Sequence, residues 1–151
     1  GDEARACLNG ISQHRQYKKK DVLLQQGQIC RSSFYILKGV ARKFYRTEDK
    51  EVTTELFFDD DLAISFASYS LQTPAFESLE ALTDLEVSVT HHRDFQMAKE
   101  KFPQLKDLDL ALTEHYACWL EKRLFQLQTQ DATQRYRSIM EHHPRVLQHV
   151  P

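Results

Sequence analysis

Apolar residues follow two different periods along this chain, and the change falls near residue 91. Upstream, short runs rich in Val, Ile, Leu, Tyr and Phe alternate with polar neighbours between turn residues, the pattern of half-buried strands. Val22-Leu23-Leu24 ends at Gln26-Gly27-Gln28, and Phe34 to Leu37 stops at Lys38-Gly39. Val40 to Tyr45 and Glu51 to Phe58 flank the polar turn Thr47 to Lys50, and Asp59-Asp60-Asp61 closes the second of them. A Ser-rich, irregular stretch from Ser65 to Pro74 precedes two more runs, Phe76 to Leu82 and Leu85 to Thr90. Short strands so evenly spaced predict a closed barrel or jelly roll.

Downstream, the steps are of three and four. Phe95, Ala98 and Phe102 predict a short helix over 91–102, ended by Pro103. Beyond Pro103 no Pro or Gly interrupts the chain as far as Gln130, and Leu105, Leu108, Leu112, Tyr116, Trp119, Leu120, Arg123 and Leu127 form one helical stripe. A second line, Leu110, Ala117 and Leu124, lies roughly 140° round from the first, at about 100° per residue. One domain covers only one such face well. The other is most simply buried against a partner helix, which makes this a dimerisation helix with the first stripe as candidate interface; the alternative is a helix clamped inside one subunit. Asp131, followed at the third position by Gln134, has the form of a capping box opening another helix with Tyr136, Ile139 and Met140 on one side, to be stopped by His143-Pro144.

Composition narrows the class. With 151 residues, 41% hydrophobic and 28% charged, the chain can bury a single core plus a helical extension. A net charge of -2 argues against direct nucleic-acid binding, which needs clustered Lys and Arg; Lys18-Lys19-Lys20 is read as a solvated strand approach. No run approaches the roughly 18 apolar residues of a membrane span, and no signal-peptide pattern opens the chain, so the expected location is cytoplasmic. Cys7, Cys30 and Cys118, odd in number and far apart, fit free thiols in a reducing compartment.

At this point the order of motifs resembles a known family. Gly27, Phe34-Tyr35-Ile36-Leu37-Lys38-Gly39, Phe57-Phe58-Asp59-Asp60-Asp61, Ser65-Phe66-Ala67-Ser68, Glu80-Ala81-Leu82 and Leu85-Glu86-Val87, with Tyr136-Arg137 through His143-Pro144 at the end, resemble the cyclic-nucleotide-binding domain of CRP/FNR transcription regulators, in the divergent branch common in Bacteroidetes. The resemblance covers almost the whole chain. It implies a mainly β fold with α: a double-stranded β-helix (jelly-roll) barrel with a hinge helix over 1–102, a long dimerisation helix over 103–130, and in 131–151 the start of a truncated DNA-binding region whose helix-turn-helix is missing.

It also implies where a nucleotide would sit. Nucleotide-binding members hold the phosphate with a Gly-Glu pair and an Arg-Ser or Arg-Thr pair some ten residues on, and these fall on Ile64-Ser65 and Ala75-Phe76 here. All four identities differ. The Arg alone is a charge-assisted contact worth about 1.5–3 kcal/mol, and Ile in place of Gly blocks backbone approach, so cyclic AMP and cyclic GMP are not expected to bind. A degenerate pocket of different preference is the candidate site: hydroxyls from Ser65, Ser68 and Tyr69, walls from Phe66, Pro74, Ala75 and Phe76, and Tyr116 or Trp119 at the mouth. The alternative is that these are ordinary core residues.

Catalytic chemistry finds little footing. The seven His occur as the adjacent pairs His91-His92 and His142-His143 or scattered, not two apart on one strand as a jelly-roll metal site requires, so no metal is expected. Support for haem or an iron–sulfur cluster is largely absent, and no cofactor is expected. There is no nucleophile elbow or Gly-rich phosphate loop, and Gly27 and Gly39 are explained by strand-end turns. The acidic triplet 59–61 is read as a turn facing water. The sequence therefore points to a non-enzymatic effector-sensing and dimerisation domain of a CRP/FNR-type regulator: a homodimer through the long helix, with an unknown small-molecule effector, DNA contacted only through the missing domain, and no membrane. Two alternatives remain: a constitutive dimerisation scaffold with a vestigial pocket, or a cyclic-AMP-responsive regulator with an atypical phosphate cassette.

Overall fold

The alternating runs upstream of residue 91 fold into two antiparallel four-stranded sheets facing each other across one core. A computed structural model describes residues 1–129 and 132–142, with side chains to Thr129 and from Tyr136 to His142. The elements are α1 (Asp2–Ile11), β1 (Ser12–Tyr17), β2 (Val22–Leu24), β3 (Ser32–Lys38), β4 (Ala41–Arg46), β5 (Glu51–Phe57), β6 (Leu62–Ala63), α2 (Phe66–Leu71), β7 (Ser78–Ala81), β8 (Leu85–His91), α3 (His92–Lys101), α4 (Pro103–Thr129) and α5 (Ala132–His142). One sheet has the order β1-β8-β3-β6, the other β2-β7-β4-β5. Strands consecutive in sequence are mostly split between sheets, which is how a jelly roll closes. Alternate residues point inward, and Ile36, Ala41, Ala63, Leu79, Leu85 and Val87 are buried between the sheets.

Besides α1 and the two-residue β6, for which no element is predicted, β1 and α2 escape the apolar pattern. The polar hexapeptide of β1 lacks β-formers except Tyr17, yet pairs with β8 from Ser12↔Thr90 to Tyr17↔Leu85. Tertiary pairing overrides propensity here, anchored by Tyr17 on the core and by a 2.7 Å hydrogen bond between the Ser12 and Thr90 hydroxyls. The stretch 65–74, read as irregular, contains α2, ended by Gln72 in the left-handed conformation. The run read as Phe76 to Leu82 is a strand only from Ser78 to Ala81, since Phe76 faces solvent.

The turns are held by side chains. Lys18 to Asp21 joins β1 to β2, with the Lys19 amide donating to Asp84 and the Lys20 amide to the Ala81 carbonyl. The acidic triplet is fully engaged: Asp59 accepts from the Gly39 amide, Asp60 from the Tyr35 hydroxyl and Asp61 from the Phe58 amide. The bond to the Asp60 carboxylate, before any effect of burial, pushes the Tyr35 phenol above its ordinary pKa.

The chain forms two compact units, Gly1–Ala98 and Lys99–Pro151. In the second unit, Lys99 and Asp109 form an ion pair of 2.7 Å between the end of α3 and the first turns of α4. Along the 27 residues of α4, Leu105 is the one buried side chain, so it offers no free surface to a partner. Leu108, Leu112, Leu120 and Leu127 of the first stripe and Leu110 and Leu124 of the second are exposed, as is Phe125, which belongs to neither line. Tyr116, Trp119 and Arg123 are half-buried. Apolar side chains thus surround α4 on every side. α5 begins where the capping pattern placed a helix; Gln130, Asp131 and His143-Pro144 lie outside the described residues.

Glycine is required at one turn by both conformation and space. Gly39 has φ of 119°, and a Cβ there would meet the Asp84 carbonyl oxygen at 2.5 Å; Gly27, at φ 94°, has open space around it. Gly39→Ala should therefore lower stability by about 2–3 kcal/mol in urea unfolding, against about 1–2 kcal/mol for Gly27→Ala.

Candidate functional site

Strand β4 carries Arg42 and Lys43 side by side, and both are nearly buried. Alternation sends them to opposite faces of the sheet. On the outer face Arg42 donates to Glu80 at 2.9 Å, Thr53 at 3.0 Å and Glu51 at 3.0 Å, with its guanidinium 3.9 Å from the Phe44 ring centroid. Arg46 binds Glu51 from the other side, and the two arginines, Arg46 first, hold the Glu51 carboxyl below its ordinary pKa.

Lys43 turns inward, 5.8 Å from the ring of the core residue Phe57, and pairs with Glu55 at 3.0 Å. The two side chains are 6% and 11% exposed. Near them Ser65, before α2, donates its hydroxyl to the Glu77 carboxylate at 3.0 Å. The buried Cys30 feels both Lys43 and Glu77, in opposite senses. Burial dominates and pushes the Cys30 thiol up, so it is held as an unreactive thiol. Two polar pairs, Lys43 with Glu55 and Ser65 with Glu77, thus border the apolar core. Among the described residues no group of three His, Cys, Asp or Glu could hold a metal ion.

Within the barrel, the residues expected to line a pocket are engaged with different neighbours. Ser65 is occupied by Glu77, and the Ser68 hydroxyl accepts from the Cys30 amide at 2.8 Å and donates to the Thr73 carbonyl. Tyr69 packs on the core and stands edge-on to His92, ring centroids 4.8 Å apart; Phe66 is half-buried. Pro74 is exposed and bridges to Ile29, while Ala75 is buried with its backbone bonded to Gly27 and Gln28. Phe76, expected to press into the nucleotide position, is instead 76% exposed and lines an outer groove of about 530 Å³ with Phe44, Arg46 and Gln26. Tyr116 and Trp119 stack on each other within α4, centroids 5.8 Å apart and planes 11° from parallel.

Sequence reading missed Lys43, Glu55 and Glu77. The signal was present: two adjacent cations in the middle of a strand cannot both face water.

Residues 14–101 match the family model of the cyclic nucleotide-binding domain. Among solved structures the chain is similar to the catabolite activator protein of Thermus thermophilus, at 19% identity and a TM-score of 0.70 over 85% of this chain and 60% of that one. It is similar also to the sensor domain of the transcriptional regulator DNR from Pseudomonas aeruginosa, at 16% identity and a TM-score of 0.66 over 87% of this chain and 86% of that one. The c-di-GMP-responsive global regulator CLP of Xanthomonas campestris matches at 15% identity and a TM-score of 0.72 over 95% and 74%. At these identities the likeness is one of fold. The chain spans about 60% of the length of the catabolite activator protein. No curated protein sequence matches it.

Breaking the interior pair should be far worse than removing it. Glu55→Leu, which takes the paired carboxylate from the buried Lys43, is expected to cost about 3–5 kcal/mol in urea unfolding, and adding Lys43→Met should recover most of that loss. Additive losses in the double-mutant cycle would contradict the pairing.

Proposed function

The chain belongs to the cyclic nucleotide-binding domain family, and from that membership we propose that it is the effector-sensing and dimerisation part of a CRP/FNR-type transcription regulator whose effector is not cyclic AMP or cyclic GMP. The observation that supports the effector reading is the absence of an available cation at the expected cassette. A cyclic nucleotide brings a phosphate anion, and from Ile64 to Phe76 there is no Lys or Arg to receive it. Ser65, at the expected cassette, already binds the carboxylate of Glu77, and Lys43 is already paired with Glu55. A phosphate brought to the expected cassette would meet the Glu77 carboxylate there, and the charge of Lys43 is already balanced by Glu55.

The dimer reading rests on α4. A helix of 27 residues with exposed Leu and Phe on all sides is unstable in water unless a partner covers it, and heptad spacing of Leu110, Ala117 and Leu124 suits a second helix of the same kind. The division that follows is a sensing barrel with hinge helix over 1–102, a dimerisation helix over 103–130 and a lead into a DNA-binding region over 131–151. DNA would be bound by a domain outside this sequence, and the protein would work in the cytoplasm without enzymatic activity. No described helix is long and apolar enough to cross a membrane. In this mechanism an effector shifts the population between two dimer arrangements.

Two measurements test it. Calorimetric titration with cyclic AMP and cyclic GMP should give no heat at micromolar protein; a micromolar dissociation constant for either would return the ordinary nucleotide-gated mechanism. Sedimentation should find a dimer, and the paired substitution Leu112→Glu with Leu120→Glu should convert it to a folded monomer. A monomeric wild type would refute the assignment of α4.

A further inference from the structure

The jelly roll is open along one side. β1 is the edge of one sheet and β2 the edge of the other, and the turn Lys18 to Asp21 joins them. Between these edges lies a slot of about 530 Å³, within the range of small-molecule sites. Leu24, Phe34 and Val89 form its nearly buried floor, and Tyr17, edge-on to Phe34 at 6.3 Å, lines it too.

Two guanidinium groups, Arg15 and Arg31, line the same slot and are exposed. Along β1, Gln13, Arg15 and Tyr17 share one face; Tyr17 packs on the core, and Arg15 pairs in register with Val87, which is fully buried. Arg15 therefore stands on the inward row of its strand, where the sandwich would ordinarily place an apolar side chain. Its guanidinium donates to the neutral Gln13 side chain, at 3.0 Å. Among the described residues neither Arg15 nor Arg31 is in an ion pair, whereas Arg42 and Arg46 are both matched to carboxylates. An inward charge on an edge strand also deters strand-to-strand association. That account explains neither the second guanidinium nor the apolar floor beneath the pair.

We propose that this slot binds a free medium-chain monocarboxylate, its tail on Leu24, Phe34 and Val89 and its carboxylate on Arg15 and Arg31. A guanidinium matches a carboxylate through parallel N–H bonds, and a neutral wall below the charged rim selects an amphiphile over a fully polar anion. The slot is lined by neither Lys43 nor Glu55, and the proposal does not rest on the dimer reading; Cys30 lines the slot and feels the charge of Lys43.

The test is calorimetry of the chain with decanoate, with decanol as the uncharged probe and an acidic peptide as the macromolecular alternative. Decanoate should bind, decanol at least tenfold more weakly, and the variant Arg15→Gln with Arg31→Gln should lose at least tenfold in decanoate affinity while its urea midpoint stays unchanged. Absence of decanoate binding, equal affinity for decanol, full affinity in the double variant, or binding of the acidic peptide in place of decanoate would each overturn the proposal. Cyclic AMP and cyclic GMP play no part in this experiment, so its failure is separable from that of the effector reading above.

Discussion

The structure turns on the register of β4. Arg42 and Lys43 are adjacent, both nearly buried, and on opposite faces, so each needs a carboxylate on its own side of the sheet. A slip of one residue would bring the guanidinium, with its five donors, into the core and turn Ala41 outward. Stranding either charge in a low-dielectric site is among the most destabilising single changes a fold can suffer. These pairs therefore specify register more than they add stability, and with β4 fixed, β5 and β7 are fixed beside it.

The bulge in β5 makes both pairings possible. Arg46, Tyr45 and Phe44 face Glu51, Val52 and Thr53, but Lys43 faces Glu55, with Thr54 as the extra residue. Before the bulge, Glu51 and Thr53 point outward to Arg42 and Arg46. After it, Glu55 and Phe57 point inward to Lys43 and the core. Were Thr54 paired with Lys43 as an ordinary strand residue, alternation would carry Phe57 to the outer face and Glu55 away from Lys43.

This bulge also marks the limit of what the sequence disclosed. The turn Thr47 to Lys50 and its two flanking strands were legible from alternation and polar punctuation, as were β2, β3, β8 and the long uninterrupted helix. Counting outward from the hairpin turn pairs Lys43 with Thr54, and nothing in the local pattern announces an extra residue. β1 was invisible for a different reason: its stability comes from β8, and its own residues are polar. α2 was hidden because Ser-rich segments read as loops, although Ser68 is there to satisfy the Cys30 amide. At the candidate site the motif order sets only an expected position for the cassette, and identities at 64, 65, 75 and 76 could show only what differs there. That Glu77 stands against Ser65 is a consequence of packing between segments twelve residues apart.

A self-paired interior changes what any effector entering the roll must do. A ligand that reached Lys43 would have to displace Glu55, and the displaced carboxylate would need solvent or a new donor. A neutral ligand that left the pair intact would gain only packing, which scales with the apolar area it covers. Moving a two-state protein from 1:99 to 99:1 takes about 5.5 kcal/mol of differential binding. An interior ligand meets that requirement most directly if it carries its own anion to Lys43 and a donor to Glu55, replacing both halves of the pair at once.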